Sequence, residues 1–538
     1  MDLHFDPLQY RYPSRRRLVY GRRGMVCASQ PLAAQAGLDM IKKGGNAFDA
    51  ALAAAACLAV VEPMSCNMGG DGFALIWHEG KLYGLNASGP APALLSVDTL
   101  KQAGYTEMPK YGWGAVTVPG VTSGWAEINK RFGKLSLSQI LEPAASYARD
   151  GFPVSPVVSA LWNRLAESFK KELSPEFYEA WAADFTIDGR APRAGEIFKY
   201  KGMAETLEEL GKTNCESFYR GAIADAIDSY SRKTGGYLRK EDLAAYKAQW
   251  VEPITTNYRG YDVWEIPPNG HGITVLMALN ILKGLSMPEQ RDCPETYHKI
   301  LESIKLAFAD TKTYVADPKY MKTRVEDLLS EEYAAKRRAL ITDKAILPEA
   351  GDPSCGGTVY LCTADPQGNM VSFIQSNYTT FGSGVAIPGT GISLQNRGGN
   401  FSLDENSDNC LAGGKRSYHT IIPGFLTKDG KAVGPFGVMG AFMQPQGHVQ
   451  VIVNTIDYHM NPQECLDAPR MQWIGGKHIQ LEREVPAHVA LGLEDMGHEV
   501  EIANRNVDMG RGEIIWRTEN GLLAAGTEPR CDGSVAAW

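Results

Sequence analysis

Thr358 stands behind two glycines, Gly356-Gly357, and heads a β-rich run that ends at Cys362-Thr363-Ala364. A second such run, Met370-Val371-Ser372-Phe373-Ile374-Gln375-Ser376, comes after the cluster Asp365-Pro366-Gln367-Gly368-Asn369. Two β-rich runs around such a cluster signal a hairpin. With 365–369 as the loop, Ala364 pairs with Met370 and Ser376 falls opposite Thr358. Directly opposed residues have Cβ atoms roughly 5 Å apart, so this register brings two hydroxyls together. A one-residue bulge would spoil that pairing. A threonine hydroxyl attacks an amide only with help from an adjacent base. Glycines on its N-terminal side carry no Cβ and accept strained dihedrals, which leaves its oxygen room to reach the preceding carbonyl.

The elements that must position these groups are legible in outline. Ser29-Gln30-Pro31 precedes a helix over 32–43, and Asn46 caps a second, Ala47 to Val61, whose small apolar residues require burial. The turn Gly69-Gly70-Asp71-Gly72 leads into a strand, Phe73 to Trp77, and is expected to approach the reactive cleft. Helices come after Val118-Pro119-Gly120 and include 140–150; the stretch 162–246 reads as helical, with solvated charged faces. A strand over 261–266, a helix over 297–314 and an exposed linker over 343–354 come next. Beyond the hairpin lie a glycine-rich loop (381–391), strands over 421–426 and 432–438, and a helix over 449–456.

The runs around Thr358, together with Phe381-Gly382-Ser383-Gly384, Pro388-Gly389-Thr390-Gly391-Ile392 and Gly-Gly-Asn-Ala near residue 46, resemble the γ-glutamyltransferase family of N-terminal-nucleophile (Ntn) hydrolases. The resemblance spans nearly the whole chain. It implies an α+β fold, a four-layer αββα sandwich of two stacked antiparallel sheets. Composition alone says no more than α+β. It also implies a proenzyme that cuts itself between Gly357 and Thr358 into a large subunit, 1–357, and a small catalytic subunit, 358–538, which together form one body. Cleavage would free an α-amine, whose reference pKa lies near 8, as a base within the nucleophile's own residue. Ser376, with Asn377 nearby, would orient that amine. The family's oxyanion-hole glycine pair corresponds here to Gly440-Ala441, and backbone donors do not require the second glycine.

The same resemblance shows where this chain departs. The arginine and the acidic pair that hold a γ-glutamyl group fall on Ser88 and on Gly399-Asn400, and the paired serines become His419-Thr420. The run Gln395-Asn396-Arg397-Gly398 is similar to a subgroup that includes an oxamate amidohydrolase. A lone Arg397 or His419 suits a substrate with one carboxylate and no amine. Asn377, Asn396 and Thr420 complete the candidate binding set. Rival readings are a γ-glutamyl enzyme with a rebuilt pocket and an unprocessed, silent scaffold.

Composition bounds the rest. The 538 residues carry a net charge of −8 and 22% charged side chains, which makes nucleic acid and membrane surfaces unexpected partners. Arg15, Arg16 and Arg17 read as part of a solvated arm. Met1 to Gln30 holds no apolar segment of signal-peptide length, which points to the cytoplasm. Ten cysteines without a CxxC pair predict reduced thiols, and no clustered spacing calls for a metal or cofactor. The expected partners are a small amide substrate, the two subunits of one precursor, and a homo-oligomer of such heterodimers.

Overall fold

The computed structural model describes residues 16–348 and 357–538, leaving Arg15, Cys355, Gly356 and the linker from 349 onward outside the described residues. Two seven-stranded antiparallel sheets form its centre. One runs, in spatial order, Ser534–Ala537, Met25–Ala28, Gly357–Ala364, Met370–Tyr378, Asp71–His78, Lys81–Ala87 and Gln249–Val251. The other runs Val19–Gly21, Leu523–Thr527, Arg511–Arg517, Lys431–Met439, Gly424–Lys428, Tyr261–Glu265 and Ile254–Tyr258. Both sheets mix strands from either side of residue 357. A cut there leaves two pieces that still share both sheets and the helical layer on the second one.

The two faces of the nucleophile strand explain the layering. Val359 and Leu361 pack with the helices Pro31–Lys42 and Ala47–Val61, whereas Tyr360, Cys362 and Ala364 pack toward the second sheet. Successive strand residues point to opposite faces, so Thr358 shares the inter-sheet side with Tyr360. Beyond the second sheet lie the helices Gly272–Leu282, Pro294–Tyr314 and Met443–Ile456. The order is therefore helix, sheet, sheet, helix.

All fifteen residues of Ala47–Val61 are buried, as their small apolar character demanded. The Asn46 carboxamide accepts from the Phe48 and Asp49 N–H groups, each at 3.0 Å, and Asp49 accepts from the Asn46 N–H. Such a cap is worth about 1 kcal/mol. The same helix end ties down the nucleophile hairpin. Asp365 accepts the Gln367 and Asn369 N–H groups through one oxygen and the Ala47 N–H through the other.

Three local expectations need correction. The helix expected over 449–456 begins at Met443, because Pro445 sits in the first turn, where a missing N–H costs nothing. The strand expected from 421 begins at Gly424. Arg16 donates to the Gly533 and Cys531 carbonyls and so belongs to the packed C-terminal edge; it is not a free arm. The nine cysteines among the described residues are free thiols.

Candidate active site

The hairpin pairs as expected from Ala364–Met370 up to Val359–Gln375 and then shifts, with Gly357 opposite Tyr378. Ser376 and Asn377 thus share the space opposite Thr358, which is a β-bulge. The bulge does not separate the hydroxyls: Thr358 Oγ1 and Ser376 Oγ lie 3.0 Å apart. Its effect is to fold the strand end back, so that the Tyr378 N–H donates to Ser376 Oγ at 2.7 Å. Tyr378 takes φ +74°, a left-handed value that a bulky residue adopts at a cost of about 1–3 kcal/mol. An aromatic cluster anchors the chain just beyond this strained residue. Phe381 is enclosed there by Trp162, Phe169, Trp181 and Phe185 at centroid distances of 5.1–5.9 Å.

Arg397 approaches from the other side. Its side chain is buried; Nη1 donates to Thr420 Oγ1 at 2.6 Å and Nη2 lies 3.5 Å from Ser376 Oγ. The guanidinium covers the Tyr378 ring at 4.3 Å. Among the described residues no carboxylate forms an ion pair with it, and its Nε has no hydrogen-bond partner. Burial pulls Arg397 down to about 10, with Tyr378 and Asp71 acting against the shift. It remains a cation at neutral pH.

The turn Gly440-Ala441-Phe442 links the strand Lys431–Met439 to the helix Met443–Ile456. Gly440 takes φ +137° and Ala441 φ +50°. Their carbonyls accept from the Met443 and Gln444 N–H groups, while neither of their own N–H groups meets an acceptor among the described residues. Gly437, three residues earlier, packs on the Tyr360 ring, which places this turn on the face of Thr358.

The remaining candidates divide. Asn377 is buried with both side-chain polar atoms unpartnered. Asn396 is spent on scaffolding: it accepts the Thr379 N–H and donates to the Lys110 carbonyl. His419 Nε2 donates to Asp71 Oδ2 at 3.1 Å, and Nδ1 faces the Ile421 N–H. Burial first and then Arg397 hold this imidazole well below its ordinary pKa, so it is neutral. Ser88 is also buried, donating to Asn86, and Asn400 donates to the Tyr418 carbonyl. The nearby cation Arg416 is committed to the Ser88 carbonyl and Gln249 and does not replace the arginine missing at 88.

Two site residues escaped sequence reasoning. Tyr378 carries no motif, and only its place one residue beyond Asn377 hinted at contact. Asp71 sits in a glycine turn that was expected near the cleft, but nothing in the chain links it to His419, 348 positions on. Folding also gathers His298, Glu302 and His498 within ligand distance of one another, which no spacing foretold. Lys305 Nζ already lies 2.7 Å from Glu302 and 3.4 Å from His498, so an ammonium supplies the positive charge there. At 1.5 Å per residue that cluster is roughly 15–20 Å along its helix from Lys312, which stacks on Phe442 beside the Gly440-Ala441 turn.

The layers and the strand-borne threonine at their inner face are those of an Ntn hydrolase. Comparison with known proteins agrees. The family described as Gamma-glutamyltranspeptidase matches residues 33–538. The Glutathione hydrolase-like YwrD proenzyme of Bacillus subtilis (strain 168) is 38% identical over 531 residues, covering 96% of this chain and 99% of that one. The Oxamate amidohydrolase proenzyme of Klebsiella pneumoniae (subsp. pneumoniae strain ATCC 700721 / MGH 78578) is 35% identical, covering 96% and 98%. The crystal structure of cephalosporin acylase from Bacillus halodurans superimposes with a TM-score of 0.97 at 54% identity, covering 100% of this chain and 99% of that one. The chain belongs to the γ-glutamyltranspeptidase family and to its oxamate amidohydrolase-like subgroup. It is an Ntn amidohydrolase or acyl transferase, and relatives named as proenzymes imply a precursor cut into large and small subunits. No helix among the described residues is long and apolar enough to cross a membrane.

Proposed function

We propose that this chain cuts itself between Gly357 and Thr358 and then hydrolyses a short amide whose acyl part carries one carboxylate, with oxamate as the leading substrate. In maturation, Thr358 Oγ1 attacks the Gly357 carbonyl and displaces its own nitrogen, and water cleaves the resulting ester. The freed amine then takes the hydroxyl proton as Oγ1 attacks the substrate carbonyl. Gly440 and Ala441 N–H groups receive the oxyanion, the proton passes to the leaving amine, and water releases the acid. From oxamate the products are ammonia and oxalate. Ser376 positions the amine.

The observation that carries the substrate class is the place of Arg397. One hydroxyl, that of Ser376, separates its guanidinium from the Thr358 oxygen. A carboxylate held there must lie close to the scissile carbonyl, as the two carbons of oxamate allow. A γ-glutamyl group spaces its α-carboxylate three carbons from that carbonyl and also presents an amine. The carboxylate nearest to hand, Asp71, has both oxygens engaged and is fully buried, so it does not offer itself to that amine.

A panel on processed protein tests the reading, comparing kcat/KM for oxamate, glutathione, a γ-glutamyl anilide and an acylated β-lactam of the kind the cephalosporin acylase name implies. Two unmatched charged ends, each worth about 1–3 kcal/mol, should set glutathione about two to four powers of ten below oxamate. A preference for glutathione would restore the γ-glutamyl reading. A protein that never appears as two pieces on a denaturing gel would support the silent scaffold.

A further inference from the structure

Asp71 is a fully buried carboxylate beside a buried cation, yet the two do not pair directly. Its Oδ1 accepts the Gly120 N–H at 3.2 Å and the Gly89 N–H at 3.4 Å, and its Oδ2 accepts from His419 at 3.1 Å. His419 is fixed in turn by its ring contact with Phe73, at 4.7 Å between centroids, and by the Ile421 N–H. We propose that Asp71 is a positioning and specificity residue: His419 and two backbone donors hold it off Arg397, so the guanidinium stays open to one substrate carboxylate while the nearby negative charge weakens that binding and opposes a second anion. This rests on the carboxylate-binding role given to Arg397 above.

Three observations support it. Arg397 makes no ion pair among the described residues and keeps an unpartnered Nε, so its charge is uncancelled at contact range. Yet a cation so deeply buried gains from a nearby counter-charge, and Asp71 acts on it as one without pairing with it. Burial pushes Asp71 up to about 7, opposed first by Arg397 and then by the Gly89 and Gly120 N–H groups and Arg416. The phenols of Tyr219 and Tyr246 also face it but stay neutral, because burial raises both. A carboxylate arriving at Arg397 adds a negative charge near Asp71 and favours its protonated form. Substrate affinity should therefore be highest with Asp71 protonated and decline as pH rises through about 7.

Two variants push the substrate KM in opposite directions, which a merely structural role would not do. Asp71→Asn removes the opposing charge and should lower the KM for oxamate about tenfold at pH 8, with kcat changed much less. His419→Phe keeps the ring on Phe73 but drops the N–H, freeing Asp71 to pair with Arg397. It should raise KM by a similar factor. In the parent protein KM for oxamate should climb between pH 6 and 8.5, and Asp71→Asn should flatten that climb. Should Asp71→Asn fail to fold, His419→Phe and the parent pH profile remain as tests. A KM that rises in both variants, or is pH-independent in the parent, overturns the proposal. Arg397→Ala separates the role of Asp71 from that of Arg397. If that variant still prefers oxamate to acetamide as strongly as the parent, the carboxylate-binding role of Arg397 is itself wrong, whatever Asp71→Asn does.

Discussion

The two halves of the cleft are built to different rules. We assign Thr358, Ser376 and the Gly440-Ala441 turn to a reacting half, which relies on strand register and backbone geometry. We assign Arg397, His419, Thr420, Asp71 and Ser88 to a binding half, which relies on buried polar side chains from distant parts of the chain. In the first half positions are dictated by hydrogen-bonded ladders; Ser372, for instance, meets the Tyr360 hydroxyl at 2.8 Å within the same hairpin. In the second half Ser88 stands where relatives of the γ-glutamyl type are expected to carry an arginine, Gly399-Asn400 where they carry an acidic pair, and His419-Thr420 where they carry paired serines. Chemistry can thus be kept while specificity is rebuilt, because the two sets come from different stretches of the chain and meet at Ser376, which lies opposite Asp71 in the sheet and 3.5 Å from Arg397.

The hardest blow to the reacting half is Thr358→Ala. Self-cleavage and catalysis would use the same oxygen, so the variant should stay a single chain of 58.7 kDa with no measurable turnover. N-terminal sequencing of the parent's small subunit should begin at Thr358. Complete processing of the alanine variant would dismantle the mechanism.

A blow to the binding half should look different. Arg397→Ala removes a charge-assisted contact worth about 1.5–3 kcal/mol, which is about 10- to 100-fold in the KM for oxamate. Its self-cleavage should proceed within a few-fold of the parent rate, because no substrate carboxylate is involved. Equal losses in both steps would mean that the halves are not separable and that Arg397 serves the nucleophile directly.

This division also explains what could be read from sequence. The hairpin, the capped helix at Asn46 and the turn at Gly440 depend on residues within about twenty positions of one another, and their spacing is written in the chain. The bulge at Ser376-Asn377 was not legible, since no residue there announces which strand takes the extra position. The Asp71–His419 contact was invisible for a stronger reason: it is set by how Asp71–His78 docks beside the hairpin, a choice made by the whole sheet. Asn396 shows the converse. It stands in a suggestive run beside Arg397, yet loop closure at Thr379 and Lys110 consumes its hydrogen bonds.

Ser376→Ala tests the side-chain contact between Ser376 and Arg397. Loss of the hydrogen bond that positions the amine should lower kcat by about one to two orders of magnitude. Processing should slow less. The variant also frees Arg397 Nη2, so KM for oxamate should stay within a few-fold of the parent value. Full activity would mean that Ser376 does not touch the working nucleophile.

The smallest effect should come from Ala441→Gly, and it asks whether the reacting half tolerates change at its backbone. Ala441 holds φ +50°, a left-handed conformation that costs an L-residue roughly 1–2 kcal/mol and costs glycine almost nothing. Its neighbour Gly440 is in a different position: a Cβ there would lie 3.2 Å from Gly510 Cα and 3.3 Å from Met443 Cβ, and its φ of +137° is closed to other residues. Only the second position of the pair can therefore carry a side chain. Glycine at 441 should relieve local strain, partly offset by the freedom it adds to the unfolded chain. We expect thermal unfolding to move by no more than a degree or two and kcat for oxamate to stay within about threefold, since the donor is the backbone N–H in either case. A hundredfold loss would show that the alanine methyl itself shapes the oxyanion turn, and the reacting half would then be as substitution-sensitive as the pocket it serves.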